Sequence, residues 1–130
     1  MLVNMNEVLR PAKANRYAIG LFNAVNLELA RGIIAAAEST RSPVIMGTAE
    51  VLLPYGPLEE VSYYLIPMAK KASVPVVVHL DHGLSRDLCI KALELGSINL
   101  DPITISAFFS IIGLIMFFTY FISCWPSPSN

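Results

Sequence analysis

The residues best suited to chemistry are concentrated in one short run, His79-Leu80-Asp81-His82-Gly83, which directly follows the apolar residues PVVV. A strand interior rarely holds three ionisable residues in four positions, whereas at the carboxyl end of a strand they point into a shared pocket. Imidazole is a good ligand for zinc and similar metals, and a neighbouring carboxylate is suited to general acid–base work. The same run also fits a polar loop that leads into a helix, and the spacing alone leaves both interpretations open.

Metal binding by this chain alone is restricted by the few side chains it has that bind metals. His79 and His82 are its two histidines, so a site with three histidines is not completed within the chain. Mixed ligation by His79, Asp81, His82 and Cys89 is a further option, but its spacing matches no established pattern. Cys89 falls on the apolar side of a predicted helix, which favours a packed core thiol over a nucleophile. Two cysteines in the whole chain exclude a disulfide scaffold and a four-cysteine zinc module.

Polar side chains also follow the two earlier strand candidates. Asn23 and Asn26, in the run FNAVN, follow the first strand, where an asparagine is able to hydrogen-bond a substrate hydroxyl or carbonyl group. Asn26 is also well placed to cap the helix that begins at Leu27. Glu50 follows the second strand, either as a buried acid of the pocket or, as we expect, as a solvated loop carboxylate.

The elements that must position these residues alternate along the chain. The predicted helices are 4–14, 27–39, 57–72 and 85–95, and the predicted strands are 17–22, 44–46 and 75–80. Ser85 and Gly96 are the expected caps of the last helix, and Tyr63 and Tyr64 are expected to pack helix against sheet. Apolar strands separated by helices indicate an α/β fold, with a parallel sheet covered by helices.

Composition divides the chain into two parts. Of the 130 residues, 55% are hydrophobic and 15% are charged, against roughly 25% charged in an average soluble domain. Every Lys, Arg, Asp and Glu lies at or before Asp101. We therefore distinguish a charged part, residues 1–96, from a hydrophobic tail, residues 97–130. The net charge of −1 gives no electrostatic footprint for nucleic acid, and no secretory signal precedes the charged part, which predicts a cytoplasmic location.

The tail permits three interpretations. Its uncharged run 103–125 is long enough to span a bilayer, which takes about 20 apolar residues. A membrane anchor of this kind would make the protein membrane-associated. The alternatives are the product of a frameshift or disrupted gene end, and a core element of a new fold.

The charged part resembles a known family. The runs YAIGLFNAVNLELARGIIAAAE, SPVIMGTAEVLLPYG and PMAKKASVPVVVHLDHGLSRDLCIKALELG resemble the N-terminal part of a class II ketose-bisphosphate aldolase. The resemblance covers about residues 1–96, in order and with matching spacing. It implies an incomplete (β/α)8 TIM barrel of about three βα units. The family consists of zinc-dependent aldehyde-lyases of glycolysis and carbohydrate metabolism, commonly homo-oligomeric. They cleave fructose or tagatose 1,6-bisphosphate reversibly to dihydroxyacetone phosphate and glyceraldehyde 3-phosphate.

The resemblance also implies roles for three residues. His82 matches a zinc ligand, Asp81 matches the catalytic acid/base that handles the C4 hydroxyl proton, and Asn26 matches a substrate-contacting asparagine. One departure is Ala49, where family members often carry serine. The resemblance stops at Ser97, before the other zinc ligands and the phosphate-binding loops. We therefore expect an incomplete Zn²⁺ site and an inactive chain. The alternative is a membrane-anchored or partner-binding protein without catalysis.

Overall fold

Helices and strands alternate along the chain as the sequence predicts. A computed structural model describes residues 1–96, and the tail predicted over 97–130, with its candidate membrane span 103–125, lies outside the described residues. The helices are α1 (Met5–Asn15), α2 (Leu27–Ser39), α3 (Leu58–Lys71) and α4 (Arg86–Glu94), and the strands are β1 (Leu21–Asn23), β2 (Val44–Ala49) and β3 (Val76–Asp81). A 3₁₀ turn, Glu50–Leu52, follows β2. Among residues 1–96, no helix is both long and apolar enough to cross a membrane.

The three strands form one parallel sheet in the order β1-β2-β3. Leu21 of β1 lies beside Ile45 of β2, and Val44 of β2 lies beside Val76 of β3. The carboxyl ends of all three strands therefore meet at one edge of the sheet. This arrangement confirms the predicted parallel α/β fold.

Helices α2 and α3 cover one face of the sheet, which we call the outer face. The outer-face core consists of buried apolar side chains from β2, β3 and the two helices, including Met46, Val76, Val78, Ile34, Val61 and Leu65. Full burial of an apolar side chain of this size contributes about 1.5–3 kcal/mol. The outer-face core therefore anchors the strands whose carboxyl ends carry the polar residues.

Helix α1 lies against the opposite face, which we call the inner face. Val8 of α1 packs with Ile45 and Val77 near the amino ends of the strands. Because side chains alternate along a strand, His79 and Asp81 share the inner face with Val77 and lie closer to its carboxyl end. The amino-terminal half of the inner face is thus apolar, and its carboxyl-terminal half is polar.

The helix ends follow the capping signals in the sequence. The Asn4 side chain accepts a hydrogen bond from the Glu7 N–H at 3.1 Å, and the Glu7 carboxylate accepts the Asn4 N–H at 2.9 Å. Ser85 caps α4 by accepting the Leu88 N–H at 3.3 Å. Gly96 follows α4 with φ +66°, the left-handed conformation expected of a residue that ends a helix.

Strands β1 and β2 differ from the prediction by at least three residues at one end. Strand β1 begins at Leu21 rather than Tyr17, because the chain first has to leave α1. Arg16 ends that helix in the left-handed region, and the Tyr17 N–H donates back to the Ala12 carbonyl at 3.0 Å. Strand β2 continues beyond Met46 because it pairs with β3 as far as Ala49.

The tyrosine prediction is right for one residue of the pair. Tyr64 packs against the outer-face core, and its hydroxyl lies 3.4 Å from the Ala24 carbonyl oxygen. Tyr63 is 87% exposed, so its predicted packing is wrong. Adjacent residues of a helix point about 100° apart, and the same sheet therefore does not bury both rings.

Candidate active site

The carboxyl edge of the sheet collects the polar residues that the sequence singles out. Asn23 ends β1, Glu50 begins the turn after β2, and Asp81 ends β3 and is followed by His82. Three parallel strands bring these residues together although they lie far apart in sequence. In open α/β sheets and in TIM barrels this edge is the usual position of an active site.

Asp81 and His82 form a close acid–imidazole pair. His82 Nε2 lies 3.5 Å from Asp81 Oδ1, and the two side chains are 66% and 26% exposed. His82 has φ +51°, a left-handed conformation that costs a non-glycine residue about 1–3 kcal/mol. Such strain is concentrated at functional sites. The pair therefore presents an accessible imidazole beside a half-buried carboxylate.

His79 has a different environment from His82, although it belongs to the same run. It occupies a half-buried position of the inner face, two residues before Asp81. Burial lowers the pKa of His79, the negative charge of Asp81 opposes that shift, and His82 adds to it. His79 is therefore neutral at pH 7, which suits a hydrogen-bonding or ligand role better than that of a cation.

The layer of the sheet below Asp81 is closely packed. Asn23, Gly47 and His79 lie side by side in the pairing register. A Cβ atom on Gly47 would lie 2.9 Å from the His79 carbonyl oxygen and 3.3 Å from Asn23 Oδ1. Glycine at position 47 therefore allows the Asn23 side chain to lie across β2 toward β3.

Asn26 is a helix cap in this structure. Its Oδ1 accepts the Leu29 N–H at 2.8 Å and so fixes the start of α2. The side chain is also exposed. Capping engages the amide oxygen, so a contact to a substrate would use the amide NH₂ group.

Glu50 has a role that the sequence does not reveal. Its Oε2 accepts the backbone N–H of Leu84 at 2.5 Å and that of Ser85 at 3.0 Å. The sequence leads us to expect a solvated loop carboxylate at Glu50. In the structure this carboxylate instead binds the backbone of the loop that follows β3. No local signal predicts this contact, because the residues involved are 34 and 35 positions apart.

Cys89 is a packed thiol, as the sequence predicts. It is 7% exposed, in a cluster with Leu58, Leu80 and Ala92. Burial raises the pKa of the Cys89 thiol, and the nearby charge of Glu50 raises it further. A raised thiol pKa disfavours the thiolate that a nucleophile requires.

The described residues do not complete a metal site. Within residues 1–96, no group of three or more His, Cys, Asp and Glu side chains is close enough together to hold a metal ion. Mixed ligation by His79, Asp81, His82 and Cys89 is thus not observed. The exposed imidazole of His82 fits a single ligand position, and a zinc ion would need further donors.

Comparison with known proteins identifies the family. The family model for class II fructose-bisphosphate aldolase matches residues 3–111. The chain therefore belongs to the class II fructose-bisphosphate aldolase family, whose members are lyases.

Individual relatives agree with this assignment. The chain is 43% identical over 96 residues to the fructose-bisphosphate aldolase of Thermus caldophilus, covering 74% of this chain and 31% of that protein. It is 39% identical over 98 residues to the 6-phospho-5-dehydro-2-deoxy-D-gluconate aldolase of Halalkalibacterium halodurans, covering 73% and 34%. The solved structure of the YdjI aldolase from Escherichia coli K12 superposes with a TM-score of 0.73 at 36% identity, covering 76% of this chain and 38% of that one.

The chain thus spans about a third of the length of the curated relatives it matches. Its three strands and their helices are an α/β fragment that matches aldolase barrel structures. The boundary predicted between residues 96 and 97 stays a prediction, since the family model extends to residue 111.

Proposed function

We propose that this chain supplies one part of a class II aldolase active site, for the reversible aldol cleavage of a ketose 1,6-bisphosphate. The products would be dihydroxyacetone phosphate and glyceraldehyde 3-phosphate, in cytoplasmic carbohydrate metabolism. The observation that carries the proposal is the Asp81–His82 pair, which lies at the end of β3 and at the carboxyl edge of the sheet, in a chain of this family. A half-buried carboxylate is suited to general acid–base work, and an exposed imidazole is suited to a metal-ligand position.

In this proposal each residue has a separate task. The Asp81 carboxylate accepts the proton of the C4 hydroxyl group as the carbon–carbon bond breaks, and returns it in the reverse reaction. His82 would hold one ligand position of a zinc ion, and the ion would supply positive charge to polarise the ketose carbonyl group. Asn26 contacts the substrate through the amide NH₂ group that its capping bond leaves available.

We further propose that this chain does not catalyse the reaction by itself. Residues 1–96 provide one exposed imidazole and no cluster of three metal-binding side chains. The other zinc ligands and the groups that bind the two phosphates must therefore come from elsewhere, and a homo-oligomer of completed barrels is the expected assembly. The proposed substrate is a small sugar phosphate rather than a nucleic acid or a lipid.

Two measurements on the purified 130-residue chain test these proposals. A coupled assay should detect no zinc-dependent cleavage of fructose 1,6-bisphosphate, and measurable cleavage would contradict the proposed inactivity. A Zn²⁺ titration followed by NMR should shift the ring resonances of His82, and the variant Asp87→Asn, altered on the exposed start of α4, should behave like the unaltered chain. Ring resonances of His82 that Zn²⁺ leaves unchanged would contradict its assignment as a ligand.

A further inference from the structure

Glu50 connects the end of β2 to the segment 82–85, which we call the β3–α4 loop. Ala49 pairs with Asp81 in the sheet, so Glu50 leaves β2 directly beside the point where this loop leaves β3. Glu50 Oε2 accepts the N–H groups of Leu84 and Ser85 at 2.5 Å and 3.0 Å. Hydrogen bonds to a charged acceptor are roughly twice as strong as neutral ones. One carboxylate therefore engages two consecutive amides of the loop.

The same loop is fixed from its other side by close packing. A Cβ atom on Gly83 would collide with Cys89 Sγ, and it would lie 3.1 Å from Leu80 Cδ2. The loop backbone thus lies directly on the buried cluster formed by β3 and α4. Packing limits how far the loop moves toward the core, and the Glu50 carboxylate limits its movement along the edge of the sheet.

His82 needs such support because its backbone is strained. Its φ of +51° is unfavourable for a residue with a side chain, and the conformation persists only where surrounding contacts enforce it. The His82 side chain is 66% exposed, so its own packing contributes little. The contacts that enforce the conformation must therefore act on the backbone that follows, where Gly83, Leu84 and Ser85 are held.

A second acidic residue contacts α4 without touching the loop. Glu59 of α3 forms an ion pair with Lys91 of α4, and both side chains are about half exposed. This pair joins two helices at their surface. Glu59 is therefore a matched control, because its removal affects the attachment of α4 and leaves the loop amides in place.

From these contacts we infer that Glu50 is a positioning residue of the candidate site, whose carboxylate holds the β3–α4 loop in the conformation that presents His82. The inference rests on the proposed function of His82 as a metal ligand. Glu50 itself does not touch the reacting groups. It acts on His82 through the backbone of the β3–α4 loop. Glutamine at position 50 retains an acceptor oxygen and should preserve the loop, whereas leucine retains the size and removes both acceptors.

The test uses the full 130-residue chain and its variants Glu50→Leu, Glu50→Gln and Glu59→Leu. NMR would measure amide hydrogen exchange, the backbone carbon shifts of His82 and the midpoint of a Zn²⁺ titration at the His82 ring. In Glu50→Leu, exchange at Leu84 and Ser85 should rise about tenfold or more, as expected for the loss of hydrogen bonds to a charged acceptor. The His82 backbone shifts should leave the left-handed range, and the Zn²⁺ midpoint should rise about tenfold. Glu50→Gln should restore all three, and Glu59→Leu should leave them unchanged.

Two results would overturn the inference. One is a Glu50→Leu variant with unchanged loop exchange and unchanged His82 backbone shifts. The other is an equal rise of loop exchange in Glu50→Leu and Glu59→Leu, which would indicate general loosening of α4. If Zn²⁺ does not affect the His82 ring of the unaltered chain, the proposed function fails, and the His82 backbone shifts still decide whether Glu50 fixes the loop.

Discussion

At the scale of single residues, the run after β3 shows how one short segment gives similar side chains different properties. His79 is half-buried on the inner face, and its pKa is lowered by burial. His82 is largely exposed, with its Nε2 close to the Asp81 carboxylate. The two histidines differ because His79 lies within β3, whereas His82 follows its last residue. A neutral imidazole therefore precedes Asp81 in the sequence, and an accessible one follows it.

The strain at His82 leads to a first prediction. Replacement of His82 by glycine relieves the unfavourable φ, and we expect the free energy of unfolding to rise by about 1 kcal/mol. The same substitution should abolish the response to Zn²⁺ at this position, so stability and metal binding should change in opposite directions. Urea denaturation and a Zn²⁺ titration would measure the two effects.

Arg16→Gly is the matched control for this substitution. Arg16 also has a left-handed backbone, with φ 57°, but it ends α1 away from the candidate site. The substitution Arg16→Gly should stabilise the protein to about the same extent as His82→Gly, and it should leave Zn²⁺ binding unchanged. A His82→Gly variant that is less stable than the unaltered chain would contradict the assignment of strain to His82.

The environment of His79 leads to a second prediction, on pH dependence. Folding lowers the pKa of His79 below its ordinary value of 6.5. As the pH falls through that value, the unfolded chain therefore binds more protons than the folded chain. The contribution of His79 to the free energy of unfolding should therefore be fully present above pH 6.5. It should decrease below that pH, until His79 also protonates in the folded state. Urea denaturation between about pH 5 and 7.5 would measure the slope. His79→Gln should flatten it, and an unchanged slope in that variant would contradict the account.

At the scale of helices and strands, the close approach of β2 and β3 at position 47 requires a glycine. A methyl group at position 47 would approach the His79 carbonyl oxygen, which belongs to the backbone of β3 and has no freedom to rotate away. We therefore expect Gly47→Ala to lower the free energy of unfolding by about 2 kcal/mol. Gly32→Ala, in α2 with open space around it, should instead raise it by about 0.5–1 kcal/mol. Thermal or urea denaturation of both variants would test this, and equal effects would contradict it.

The same scale shows what the sequence was able to predict. Asn26 and Ser85 cap the helices that local signals assign to them, because a cap depends only on residues three positions apart. The extent of β1 was not predictable from its apolar run, since the exit from α1 uses residues that would otherwise extend the strand. The role of Glu50 was also hidden, because its partners are brought close only by the pairing of β2 with β3.

At the scale of the whole molecule, residues 1–96 form three parallel strands with their helices, an α/β fragment that matches aldolase barrel structures. Strand β3 is paired with β2 along its full length, and on its other edge Leu2 bridges Val76 near the amino end. The chain covers about a third of its curated relatives, and within the described part Asp81 and His82 are the side chains to which we assign roles in aldolase chemistry. The proposed function therefore depends on these two residues working inside a complete barrel.

The most direct test of the account replaces the matching segment of the Thermus caldophilus aldolase, 43% identical over 96 residues, by residues 1–96 of this chain. The chimera should fold, bind zinc and cleave fructose 1,6-bisphosphate. Asp81→Asn should lower kcat by about 10²-fold or more, His82→Ala should abolish zinc-dependent activity, and Asp87→Asn should have no effect. A folded chimera that retains full activity with both Asp81 and His82 replaced would contradict the assignment of the active site.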